Sequence, residues 1–302
     1  MSESTVALEL FLRWLNEAHD RRFRLAGKAD ASAVALDGET RLAIEVRSLL
    51  GPVEDAAWLA AKARLEEQLG EGLPGAYALW LPFGVDLPAG EPLLSEFIDA
   101  VRQAAIRLGL HERSYVPLPV TMRLRKVSDD GGVVSVTGGL NQHWARFTEL
   151  VRGTYDLDST RVHRLPESEA HLEGLIELVV RISKQLGAGQ LAEIETIDAW
   201  TLQRVGEGSG VTIVGVPPTT TDDPGLAVRR NLRRILAEAV PRLQESEADV
   251  RALLVIGHYP RIEQEGATIA MRGYEPALYS GIDVVGLITD GLVKPIIAPL
   301  VR

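Results

Sequence analysis

Two alternating runs joined by an Asp-Gly dipeptide constrain this chain more than any other feature. They lie in ADASAVALDGETRLAIEVRS, residues 29–48. A period of two marks a half-buried β-strand, and Asp-Gly between two such runs predicts a tight antiparallel hairpin, because the turn needs φ > 0. With Asp37 and Gly38 as the two loop residues, Leu36 pairs with Glu39 and Asp30 falls opposite Glu45. Side chains directly opposite in an antiparallel pair lie about 5 Å apart on one sheet face. Arg47, two residues beyond Glu45, shares that face. A four-residue loop would set Arg47 opposite Asp30 and keep all three together, whereas a slip of one residue would separate them.

Helical and strand-like patterns surround this hairpin. Ser4 and Thr5 read as candidate caps of a helix carrying Leu8, Phe11, Leu12 and Leu15 at helical spacing. Gly51-Pro52 breaks the strand pattern, and Val53 to Leu69 resumes as a helix carrying Trp58, Ala61, Leu65 and Leu69 on one side. AYALWLP (76–82) reads as a buried strand, and residues 92–109 as an amphipathic helix. Helix, hairpin, helix, strand, helix implies an α/β layer built on a mixed sheet. VTMRLRKVSDDGGVVSVTGG (120–139) predicts a second hairpin turning at Asp129 to Gly132, with a short helix after it at 141–152. Residues 154–168 read as a linker or a connecting strand.

The second half repeats that order. A helix at 168–186 precedes two strand-like runs around the Gly-rich 206–210, then a helix at 223–243 and the apolar strand VRALLVIGHYP. Asp198 takes the place of Asp30, but no Asp or Glu occurs from Gly208 to Thr221, so a second copy would have lost its carboxylate pair. The domains expected are 1–115, an α/β domain; 116–165, a hairpin and connecting segment; and 166–302, a second α/β domain as a degenerate repeat.

Asp30 and Glu45 side by side would raise each other's pKa unless a cation lay between them. A hard divalent cation, Mg²⁺ or Mn²⁺, suits such oxygen ligands, and would polarise a phosphodiester and acidify a bound water. Helix, then Asp, then Glu-x-cation fifteen residues on across a hairpin, then helix and strand, is an order that resembles the PD-(D/E)XK superfamily of restriction-endonuclease-like nucleases. The likeness covers residues 5–82, with Ala29-Asp30 for Pro-Asp and Glu45-Val46-Arg47 for Glu-x-Lys. The resemblance implies Asp30 and Glu45 as metal ligands and Arg47 as the group orienting the attacking water. It also implies a helix glutamate, Glu9 or Glu17, as an auxiliary ligand, Gln68 as a further active-site residue, and DNA or RNA as substrate. Arginine departs from the family's lysine. A guanidinium is a planar fork that stays charged, and folded onto either carboxylate it would neutralise the site in place of a metal. The function expected is therefore a metal-dependent nuclease, or else a silent scaffold of the same fold that docks nucleic acid, a protein partner or a second copy.

Composition narrows the surroundings. Of 302 residues 46% are hydrophobic, enough for packed cores, and no apolar run reaches the ~20 residues of a membrane span. There is no cysteine, and the acidic N-terminus lacks the pattern of a secretory signal, so a cytoplasmic protein is expected. A net charge of −10 argues against a sequence-blind nucleic-acid binder that works through overall charge. Local basic stripes remain at Arg229, Arg230, Arg233 and Arg234, and at Arg123, Arg125 and Lys126. GAGQLA (187–192) follows a helix rather than a strand and reads as a helix end. Trp144, in NQHWARF, is expected buried in a seam between domains.

Overall fold

A computed structural model describes residues 1–29, 32–51, 53–163, 169–220, 224–258 and 267–298. The chain forms two compact units, one of residues 1–87, 105–113 and 202–302, the other of 88–104 and 114–201. These units do not follow the three consecutive domains expected from the sequence. The first and last parts of the chain fold together because their strands share one sheet.

In the first unit that sheet has the order β1 (Arg24–Ala29), β2 (Ser32–Asp37), β3 (Thr40–Ser48), β10 (Val250–Ile256), β11 (Val284–Thr289), β12 (Leu292–Ile297). β1, β2 and β3 form an antiparallel meander; β10 and β11 run parallel to β3, and β12 returns antiparallel. All six residues of β11 are buried, as are six of the seven in β10. Parallel strands covered on both faces need such unbroken apolar runs. One cover is α1 (Glu3–His19), capped by Ser2 rather than by Ser4 or Thr5, which lie within the helix; the Ser2 hydroxyl accepts the Thr5 N–H. Its Val6, Leu8, Phe11 and Leu15 share a core with Leu42, Ile44 and Val46 of β3 and with Leu254 and Ile288. The other cover is α6 (Pro224–Glu245), where Leu232, Ile235, Leu236 and Leu243 pack with Ala43, Leu253, Val255 and Leu287.

The remaining strands of this unit are β4 (Ala76–Trp80), β9 (Gly210–Val214) and the end of β8 (Leu191–Gly206). β4 lies between the other two, parallel to β9, and is buried throughout. Ala76, Ala78 and Trp80 of β4 join the α1 core, so seven residues of α1 are buried, more than one face would require. α2 (Ala56–Gly70) packs on β9 and is capped by Asp55, whose carboxylate accepts the Trp58 N–H and is held below its usual pKa chiefly by that bond.

The second unit orders β6 (Gly132–Gly138), β7 (Gly153–Ser159), β5 (Arg113–Ser128) and β8, with α4 (Trp144–Leu150) and α5 (Glu169–Ser183) contributing to its core. α3 (Leu93–Arg107) begins here, and its Phe97 meets Trp200 edge-on, with ring centroids 5.0 Å apart. The expected hairpin at 120–139 is not one. β7 inserts between β5 and β6, parallel to β6, so the Asp129–Gly132 link steps over a strand. The Gly-rich 206–210 link behaves alike, since β4 separates β8 from β9. The two halves share an order of elements without sharing a pairing scheme. Trp144 is 54% exposed at the start of α4, where its neighbour Phe147 takes the buried position.

Candidate functional site

The hairpin forms with a shifted turn. Its loop residues are Gly38 and Glu39, with Asp37 paired to Thr40; φ is +60° at Gly38 and is not positive at Glu39, the pattern of a type II′ turn. The register therefore sets Ser32, not residue 30, opposite Glu45. A shift of two preserves faces, so Glu45 and Arg47 stay together as expected. Asp30 lies outside the described residues.

That shared face looks toward α6. Glu45 pairs in register with Leu253 and Arg47 with Val255, both members of the α6 core, while the alternating Leu42, Ile44 and Val46 face α1. Glu45 is 5% exposed. Burial pushes its carboxyl pKa up, and the guanidinium groups of Arg47 and then Arg242 offset part of that rise. Arg47 Nη2 lies 2.7 Å from Glu45 Oε2, and its Nη1 donates to the Val46 carbonyl at 3.3 Å.

The other expected residues are placed elsewhere. Glu9 is exposed on α1, the helix covering the opposite face of the sheet. Glu17, near the end of α1, lies 3.9 Å from Arg13 and is largely exposed. Gln68 is exposed on α2, which packs on β9 rather than over β3. The reason is that β3 takes β10 as its parallel neighbour, so α6 rather than α2 covers Glu45. Among the described residues no group of three or more His, Asp or Glu side chains is arranged to hold a metal ion.

A second polar cluster, which the hairpin reasoning missed, sits at the carboxyl ends of β3 and β10. Ser48 Oγ and His258 Nε2 are 3.4 Å apart. His258 is buried, and that burial, with Lys62 nearby, pulls its pKa down to about 4. Lys62 pairs closely with Glu3 and lies 3.9 Å from Glu66, whose carboxyl is pushed up by burial although it accepts the Ile213 N–H at 2.7 Å. The signal that would have found this cluster is positional, because open α/β sheets place ligands at the carboxyl ends of parallel strands.

No protein-family model, curated protein or solved structure matches this chain. The fold defines an α/β protein with two mixed sheets, and no described helix is long and apolar enough to cross a membrane.

Proposed function

We propose that α1, β1–β3, α6 and β10 form a restriction-endonuclease-like core whose metal position is taken by Arg47, and that the protein docks nucleic acid without cutting it. The observation carrying this reading is the 2.7 Å Glu45–Arg47 pair, with side chains 7% and 15% exposed. Arginine keeps its charge at any working pH, so Glu45 has a permanent internal counter-ion. A divalent cation at Glu45 would be repelled by two like charges, Arg47 and then Arg242. The described residues therefore do not fit a metal at Glu45. Docking is supported by α6, whose Arg229, Arg230, Arg233 and Arg234 are all exposed on a helix that buries Val228 and Leu232 beneath them. Such a stripe contacts phosphates without reading sequence.

Calorimetric Mn²⁺ titration beside a nuclease assay with and without EDTA tests the first half. The expected result is no Mn²⁺ binding and no EDTA-sensitive cleavage. Binding and cleavage that are both lost in Glu45→Ala would replace this reading with the metal-dependent nuclease, in which Asp30 and Glu45 hold Mg²⁺ or Mn²⁺. What favours that second reading is the register, which pairs Glu45 with Ser32 only two residues after Asp30. Fluorescence anisotropy with DNA and RNA oligonucleotides tests the second half. Arg229→Glu with Arg233→Glu is expected to weaken binding alike for all sequences and to flatten its salt dependence by about two units of slope.

A further inference from the structure

Described residues beyond β3 and beyond β10 join opposite faces of the sheet. α2 follows β3, and its Lys62 reaches Glu3 of α1, the helix covering the Leu42 and Ile44 face. After β10, Ala267, Ala270, Met271 and Tyr274 join the α6 core on the other face. Where connections of adjacent parallel strands diverge, a crevice opens at their carboxyl ends, the usual ligand position of an open α/β sheet. Ser48 ends β3 and His258 follows β10 by two residues, so both stand at the carboxyl ends of these adjacent parallel strands.

We propose that Ser48, His258 and Lys62 form a second site, one that transfers an acyl group from a carboxylic ester to water through Ser48. The roles follow from the chemistry. A serine hydroxyl is a weak nucleophile until a neighbouring base accepts its proton, and His258 Nε2 is 3.4 Å away. Such pairs are often loose before substrate arrives and tighten in the reacting complex. His258 is buried and neutral at physiological pH, the form that accepts a proton, although burial and Lys62 make it a weak base. Ser48 is only partly buried. Lys62, 5.8 Å from the centre of the Trp58 ring and paired with Glu3, lies close enough to lower the pKa of His258, which opposes its protonation. The part assigned to Lys62 in the reaction is to offset the charge of the oxyanion. In the first step the Oγ–C bond forms and the ester C–O bond breaks. The Oγ proton passes to Nε2 and on to the departing alkoxide. Water then attacks the acyl-serine, gives its proton to Nε2, and Ser48 Oγ leaves and recovers it.

This site is independent of the Glu45–Arg47 pair, so its test is separate from the metal titration. The full chain is treated with a fluorophosphonate probe, which transfers its phosphonyl group to an activated serine and releases fluoride. Intact mass and peptide mapping are expected to find one adduct, on Ser48, absent from Ser48→Ala. His258→Gln should label about a hundredfold more slowly while keeping a cooperative melting transition. No adduct above the Ser48→Ala background, or an adduct on another residue, overturns the proposal. So does a folded His258→Gln that labels at the wild-type rate. Should His258→Gln fail to fold, Lys62→Met takes its place, and a wild-type rate there overturns the proposal equally.

Discussion

Removing either partner of the Glu45–Arg47 pair leaves the other charge under α6 without its nearest counter-ion. Arg47→Met is expected to cost about 3 kcal/mol at pH 7, because a buried carboxylate that loses its nearest counter-ion is worse than no charge at all. Glu45→Gln combined with Arg47→Met should fall well short of the summed single effects, and urea denaturation of the four proteins measures the coupling. The Arg47→Met deficit should shrink as the pH falls, since Glu45, its pKa raised by burial, protonates earlier than an ordinary carboxylate and then needs no partner. His258 acts with the opposite sign. Its folded pKa of about 4 lies below its ordinary 6.5, so the unfolded chain binds the extra proton between those values. Its stability contribution is whole above pH 6.5 and is lost as pH falls toward 4, by up to roughly 3 kcal/mol. The raised carboxyls of Glu45 and Glu66 oppose this trend in the acid part of that range. Urea midpoints compared at pH 7.5 and 5.5 should drop in the wild type and less in His258→Gln.

Two glycines separate backbone cost from steric cost at the level of the element. An added Cβ at Gly38 meets nothing within 4 Å, so Gly38→Ala pays for φ +60° alone, about 1 kcal/mol. At Gly139 a Cβ would stand 1.9 Å from the Val162 carbonyl oxygen. Gly139→Ala should therefore destabilise the second unit by on the order of 4 kcal/mol, read as hydrogen-exchange protection lost within 114–201 and retained in the first unit. The turns also show what was legible locally. Asp37-Gly38 marked a hairpin correctly, and its alternation kept Glu45 and Arg47 on one face. The one-residue displacement of the loop was not legible, since Asp-Gly and Gly-Glu both supply a positive-φ glycine. Asp129–Gly132 and Gly206–Gly210 carry the same turn chemistry, yet each admits a third strand between its neighbours. Turn residues specify a reversal of direction, not adjacency.

For the molecule as a whole, the expected domain 1–115 lacks the strand that completes its sheet. As an isolated fragment it would expose β3 as an open edge and leave Ala43 and Glu45 without α6. It is expected to give a poorly dispersed NMR spectrum and no cooperative melting transition, where the full chain gives both; a cooperatively folded fragment would show that β4 can replace β10. Sequence determined the elements, because helical and strand periodicities are local: α1, β2, β3, β4, α6 and β10 all lie where their patterns put them. It also determined that Glu45 and Arg47 share a face, since that follows from a period of two. It did not determine which apolar strand lies beside β3. AYALW and VRALLVI are equally fit for a strand buried on both sides, and pairing across some two hundred residues depends on packing that no local pattern encodes. That one decision placed α6 over Glu45, sent Gln68 and α2 to another sheet, and brought His258 beside Ser48. The tertiary structure alone made it.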